Sequence, residues 1–456
     1  MSRRFDAIVI GAGQAGPSMA ARLAAAGRTV ALIERERLGG TCVNTGCTPT
    51  KTLVASAYAA HLARRAADFG VSAGPVAVDF AAVMARKNRV VGDKVVGLES
   101  WLRDMKNCTV IRGQARFVSP HAIEVGGDAL EADQVFVNVG ARPVIPDFPG
   151  LNQVRALTNA TLLELDRLPR RLVIVGGSYI GLEFAQIFRR LGADVTVVEK
   201  APRLVSREDP EVSEAIQAIL EAEGVAIRLD AECIRFAPRG AGIEVHVDCR
   251  SGDPAVIGSH VLLAVGRRPN TDGLGLETAG VELDERGYIV VDDSLRTSVP
   301  HIWALGDCNG RGAFTHTSYN DYEIVAANLL DGAERKVTER IPVYALYVDP
   351  PLGRVGMTET EARAKGHAVR IGRRPMTRVA RAVEKGEQQG FIKVVVDRDT
   401  DAILGAAILG VGGDEAIHGV IEAMGAGEGA AAFTRVVAIH PTVSELLPTV
   451  FGELSP

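Results

Sequence analysis

Residues 8–35 read IVIGAGQAGPSMAARLAAAGRTVALIER, and the same layout returns at residues 173–200 as VIVGGSYIGLEFAQIFRRLGADVTVVEK. The two stretches align without a gap at a constant offset of 165, with Gly11 on Gly176, Gly16 on Gly181, Gly27 on Gly192, Val30 on Val195 and Glu34 on Glu199. Each opens with a short β-branched run, turns at glycine, continues with a helical pattern to Gly27 or Gly192, and closes on a second strand ending in Glu. This is the layout of a dinucleotide-binding βαβ unit. Glycine permits the tight turn and lets backbone approach a pyrophosphate, whose charge rests at a helix N-terminus. An acidic residue ending the second strand accepts hydrogen bonds from a ribose 2′-OH. The alternative, a glycine-rich turn that binds nothing, fits poorly with a complete unit appearing twice in register. In the second copy Ser178 stands where Gly13 stands in the first, which allows less close backbone approach. The pattern predicts an α/β protein with two Rossmann-like domains.

Outward from the first copy, Cys42 and Cys47 are separated by four residues and precede a helical stretch read as Lys51 to Ala67. Turns at Gly46 and Pro49 bring two such cysteines within disulfide reach, and a nearby helix N-terminus favours thiolate. The spacing is wrong for a CxxC zinc half-site. Two buried structural cysteines are the other reading. Cys108, Cys233, Cys249 and Cys308 are scattered and call for no special role.

The segment GGTCVNTGCTPTKTLVASA (Gly39 to Ala57) resembles the redox-disulfide segment of the class I FAD-dependent pyridine nucleotide–disulfide oxidoreductases. The resemblance covers nearly the whole chain. Gly140-Ala141-Arg142-Pro143 and Gly266-Arg267-Arg268-Pro269-Asn270 are similar to the family's strand-to-loop crossovers, Trp303-Ala304-Leu305-Gly306-Asp307 to its second FAD motif, and His440-Pro441-Thr442 with Glu445 to its C-terminal signature. The resemblance implies FAD in the first unit, held by Gly11, Gly13, Gly16, Glu34, Thr41, Lys51, Ala115, Gly140, Gly266 and Asp307. It implies NADH or NADPH in the second, held by Gly176, Tyr179, Ile180, Gly181, Glu183 and Glu199, with Tyr179 as a gate over the nicotinamide. Cys47 would face the flavin, Cys42 would attack the substrate, Lys51 would lie near flavin N5 paired with Glu183, and the His440–Glu445 pair would serve as acid–base from the partner subunit of a homodimer. The expected boundaries are 1–145 with 265–335 for FAD, 146–264 for NAD(P), and 336–456 for an α+β dimerisation domain.

Within the family, CVNTGC and the run Pro350 to Thr358 look most like the mercuric-reductase-like group, which includes copper(II) reductases of reactive-chlorine defence. The chain ends LLPTVFGELSP, without the C-terminal cysteine pair of true mercuric reductases. His440 favours thiol–disulfide chemistry as in dihydrolipoamide dehydrogenase, glutathione reductase or another small-disulfide reductase, although Thr45 and Thr48 replace residues that are apolar there. The expected acceptor is a small disulfide or a soft metal ion, which thiolates suit. A flavin redox sensor without turnover is the reading from another class. Glu199 favours NADH, and Lys200 and Arg203 leave NADPH open.

Composition excludes several other classes. The 456 residues carry 51 basic and 56 acidic side chains, a net charge of −5, without the basic face a nucleic-acid binder needs. No apolar run approaches the length of a membrane helix, and Ala7 to Ile10 is too short for a secretory h-region. A cytoplasmic location follows as the expectation. The nine histidines show no metal-like spacing, so no resident metal is expected.

Overall fold

The computed structural model describes residues 3–248 and 253–455, and Cys249 and the side chain of Cys233 lie outside that description. The chain divides into two compact units, the first made of Met1–Thr52, Met84–Val144 and Val265–Arg340, the second of Leu53–Val83, Ile145–Ala264 and Ile341–Pro456.

In the first unit, β1 (Arg3–Ile10), α1 (Gly16–Ala25) and β2 (Val30–Glu34) form the first βαβ unit. Every residue of β2 is buried, as befits a parallel strand covered on both faces. The helix α1 carries Pro17 in its first turn, where a missing N–H costs nothing. It ends where Gly27, at φ +83°, bonds back to Ala24. Further along are α2 (Gly40–Asn44), α3 (Cys47–Arg64), α4 (Phe80–Arg103), β3 (Cys108–Arg112), β4 (Ala115–Ser119), β5 (Ala122–Val125) and β6 (Asp128–Val137). The sheet runs β3-β2-β1-β6-β5-β4, and Ile302–Ala304 adds to β6 in parallel. Ile8, Met19, Leu23, Leu32 and Phe136 fill its core. A short ribbon pairs Ala141–Pro143 with Arg267–Pro269.

The helix α3 starts at Cys47, four residues earlier than the sequence pattern suggests, and ends at Arg64. Pro49 hides this start from a sequence reading but falls in the first turn, where proline is tolerated.

In the second unit, the repeat forms a four-stranded parallel sheet in the order Ala226–Arg228, Asp194–Val198, Arg171–Val175, His260–Leu263, with the helix Tyr179–Leu191 behind the glycine turn. An antiparallel meander follows at Glu232–Arg239, Gly242–Asp248 and Ala255–Gly258. Residues beyond Ile341 build a five-stranded antiparallel sheet in the order Val343–Leu346, Leu352–Gly356, Ile403–Leu409, Phe391–Asp397, Val369–Pro375. The two middle strands are buried throughout. The helical stretch between residues 413 and 425 is two pieces, Gly413–Ala416 and His418–Gly425, broken at Ile417. Among the described residues no helix is long and apolar enough to cross a membrane.

Candidate functional site

The two glycine turns share their closest backbone approaches. Gly11 sits at φ +102° and Gly176 at φ +116°, a region open to glycine. A Cβ on Gly16 would lie 2.0 Å from the Gly11 carbonyl oxygen, and one on Gly181 would lie 2.0 Å from that of Gly176. Helix and strand therefore approach as closely as backbone permits in both copies. In the first, Glu34 Oε2 accepts the Ala12 N–H at 2.8 Å and Oε1 accepts the Glu36 N–H at 2.8 Å. In the second, Glu199 does the same with Gly177 and Ala201, at 2.5 and 2.7 Å. Each carboxylate is thus fixed at the strand end by two backbone donors, with lone pairs left for a hydroxyl. Ser178 has an extended backbone ahead of the second helix, so its conformation does not require glycine.

Asn138, at the end of β6, was not anticipated. Its amide donates to the Gly11 carbonyl at 3.2 Å and borders Gly13 and Gly16. Gly113 N–H bonds the Glu34 carbonyl at 3.0 Å, which ties β3 and the buried Ala115 to the same strand end.

The chain after β2 doubles back over this turn. A Cβ on Gly40 would come within 2.8 Å of the Gly13 Cα, so α2 is drawn against the glycine turn with Thr41 and Cys42 on it. Cys42 and Cys47 are thiols, not joined as a disulfide, and hydrogen-bond to each other. The hydrogen bond to Cys47, burial and the Cys47 charge all push the Cys42 thiol far up, against Thr315 and the Lys94 ammonium, which lower it. Cys47 stands at the N-terminus of α3, where a helix dipole favours an anion. Thr315 Oγ1 lies 3.2 Å from Cys47 Sγ. Lys94 donates to Thr48 Oγ1 at 3.3 Å. Lys51 follows one turn along α3.

Asp307 is placed beside Arg267, whose Nε lies 3.7 Å from its carboxylate. Burial raises the Asp307 pKa and Arg267 lowers it. Arg267 also bonds the Ala141 carbonyl and reaches Thr41 Oγ1 at 3.5 Å, so Thr41, Ala141 and Asp307 share one guanidinium. Gly140 and Gly266 sit at φ +65° and +125°, and a Cβ on either would enter open space. This bare, open backbone, with the fixed Glu34 and the helix N-terminus of α1, suits a dinucleotide with a ribityl tail at Asp307. Cys308 is wholly buried and bonded to backbone carbonyls, with its thiol pushed up to about 12.

In the second unit, Tyr179 and Ile180 open the helix that carries Gly181 and the buried Glu183. The Glu183 carboxylate accepts the Tyr347 N–H at 3.1 Å. His440 is largely exposed and its Nδ1 lies 2.8 Å from Glu445 Oε2. With the carboxylate accepting, the proton lies on Nδ1 and Nε2 is left as an acceptor. Thr442 holds the Glu445 N–H at 3.1 Å. The neighbouring Val437 and Ile439 are 96% and 78% exposed.

Thr315, Asn138 and Lys94 escaped the sequence reading because no motif marks them. The tertiary fold alone brings them to the turn and the thiols.

Comparison with known proteins follows the same lines. Residues 5–321 match the family described as pyridine nucleotide-disulphide oxidoreductase, and residues 343–451 match its dimerisation domain. The probable pyridine nucleotide-disulfide oxidoreductase RclA of Escherichia coli K12 is 37% identical, with 98% of this chain and 99% of that protein covered. A mercuric reductase of Streptomyces lividans is 37% identical, with 93% and 90% covered. The solved structure of the Cu(II) complex of HOCl-induced flavoprotein disulfide reductase RclA from Escherichia coli superposes with a TM-score of 0.90 at 36% identity, covering 99% of both chains.

Proposed function

Because the chain belongs to the pyridine nucleotide-disulphide oxidoreductases, with NAD(P)H, FAD and a cysteine pair as its electron carriers, we propose that Cys42 delivers those electrons to a soft metal ion or a small disulfide. The observation that carries this reading is the thiol pair itself, Cys42 and Cys47 hydrogen-bonded to each other with Cys47 at a helix N-terminus. FAD, bound along Gly11, Gly13, Gly16, Glu34, Thr41, Lys51, Ala115, Gly140, Gly266 and Asp307, supplies hydride acceptance from NAD(P)H and electron delivery to sulfur. Lys51 places an ammonium where negative charge develops. Gly176, Ile180, Gly181, Glu183 and Glu199 hold the nicotinamide nucleotide, and Tyr179 stands over its ring. His440, oriented by Glu445, takes the Cys42 proton as that thiol attacks, acting from the partner of a homodimer formed through residues 336–456. Residues 1–145 with 265–335 serve FAD and residues 146–264 serve NAD(P)H, in a cytoplasmic enzyme. Two electrons with two protons reduce one disulfide to two thiols, and two electrons alone reduce one Hg(II) to the metal or two Cu(II) to two Cu(I).

Anaerobic titration of the flavin-loaded protein with NADH, then NADPH, tests the reading. Two electrons are expected to raise a long-wavelength band from the Cys47 thiolate against the flavin. Bleaching without that band would falsify redox contact between pair and flavin. Steady consumption of NADH with Cu(II), Hg(II) or a small disulfide then identifies the acceptor, and a single stoichiometric burst with all three identifies a sensor.

A further inference from the structure

Tyr179 ends a chain of buried polar groups that the reaction above does not use. Its ring meets Tyr344 edge-on, with centroids 5.4 Å apart and planes at 77°. The two phenols also hydrogen-bond. The Tyr344 hydroxyl donates to Glu208 Oε1, and Glu208 Oε2 faces Arg354 Nε at 3.7 Å. The Glu208 and Arg354 side chains are 0% and 1% exposed.

The direction of the chain follows from its ends. Glu208, opposed by a guanidinium, accepts the Tyr344 O–H hydrogen bond. The Tyr344 oxygen then has a lone pair left for the Tyr179 O–H. Burial raises the Glu208 pKa, and Arg354 and Tyr344 counter it only in part. Arg354 Nη1 and Nη2 are buried with no hydrogen-bond partner. A buried pair with unsatisfied nitrogens contributes little to stability, since apolar side chains of similar volume do as well. What it does supply is a fixed anchor for one phenol.

We propose that Tyr344 and Glu208, backed by Arg354, form a latch that holds the Tyr179 ring in one rotamer and so set the cost of admitting the nicotinamide. This rests on the reading that Tyr179 stands over the nicotinamide. A ring tied by a hydrogen bond must be untied when a nicotinamide takes the space it guards. One neutral hydrogen bond shifts such an equilibrium by about two- to tenfold. Tyr344 and Glu208 are positioning residues, acting through Tyr179 and touching neither nucleotide nor substrate.

The test is a double-mutant cycle on the flavin-loaded enzyme, read as KM for NADH (or NADPH, whichever reduces the flavin faster) and as kcat at saturating acceptor. Tyr344→Phe keeps the ring and removes the hydroxyl. It is expected to lower the KM by about two- to tenfold while kcat moves less. In a Tyr179→Ala background the same change is expected to have no further effect. Glu208→Gln keeps the shape and weakens the acceptor, and is expected to shift the KM in the same direction. It carries the test if Tyr344→Phe fails to retain flavin. An unchanged or raised KM in Tyr344→Phe, or additive effects in the double variant, overturns the latch. An unchanged KM in Tyr179→Ala overturns the gate reading on which the latch rests, so the two failures are told apart.

Discussion

Cys42 and Cys47 have four residues between them and stand in unequal surroundings. The hydrogen bond to Cys47, burial and the Cys47 charge push the Cys42 thiol up, while Cys47 stands at the α3 N-terminus, where a dipole favours an anion. Replacing either with serine therefore has different signatures. Cys42→Ser is expected to leave NADH reduction of the flavin intact and to lower acceptor turnover by about a hundredfold or more, the scale of losing a covalent nucleophile. The resting protein should then already show the long-wavelength band, because Cys47 has no disulfide partner. Cys47→Ser should show no band at any stage. Both are read by absorbance and acceptor-dependent NADH oxidation. At this scale the sequence named the thiols, Glu34, Glu199 and the His440–Glu445 pair, because each belongs to a local pattern of fixed spacing. Thr315, Asn138 and the Tyr344–Glu208–Arg354 chain were not legible. Thr315 is 268 residues from Cys47 and Asn138 is 127 from Gly11, and only the tertiary fold brings such positions together.

Glycines that let a helix rest on a strand offer the sharpest test of the two βαβ elements. A methyl group on Gly16 or on Gly181 would strike a carbonyl at 2.0 Å, so each element must open. Such overpacking costs about 1–3 kcal/mol, concentrated at the turn. Gly16→Ala is expected to lose flavin, measured as absorbance per protein. Gly181→Ala is expected to keep its flavin and raise the KM for NADH by roughly tenfold. The reverse pattern would exchange the two nucleotide assignments. A second element-level feature is Lys393, 1% exposed, on the strand Phe391–Asp397. Its ammonium meets Asp209 at 3.0 Å and Glu359 at 2.8 Å, and bonds Glu211 as well. Burial raises the Asp209 carboxyl, but Thr360 and Lys393 hold it down to about 2. Its pKa is depressed below the unfolded value near 3.9, so its contribution is full above that value and is lost as pH falls towards 2. Lys393→Met strands the buried Asp209 charge and is expected to cost about 3–5 kcal/mol, read by denaturant unfolding at pH 7, with acid unfolding moved to higher pH. The strands and most helices were readable from periodicity. The start of α3 was not, since Pro49 signals a break unless one knows that it lies in a first turn, and neither was the break at Ile417.

Across the whole molecule, the repeat at offset 165 was visible because both copies answer to the same steric demands, from positive-φ glycines to paired carboxylate clamps. The return of residues 265–335 to the first unit came from resemblance, because the pairing of Ile302–Ala304 with β6 leaves no local trace. Val437 and Ile439 project beside His440, an apolar stretch that the family's dimerisation domain implies is covered by a second copy. Val437→Asp is expected to shift size-exclusion elution to a monomer, to retain NADH reduction of flavin, and to lose acceptor turnover. An unchanged dimer with full turnover would place the interface elsewhere. The twin clamps of Glu34 and Glu199 have a further consequence. FAD and NAD(P)H share an adenosine diphosphate half, and the same pair of backbone amides presents the same carboxylate to it in each site. Selectivity between them must then come from the other halves of the two molecules, and the flavin-free protein should take adenylate at either address. ADP is expected to slow FAD uptake by the stripped protein in proportion to its concentration, measured by recovery of flavin absorbance. A newly made chain would on this account choose its prosthetic group by elimination, keeping whichever molecule its remaining contacts release most slowly.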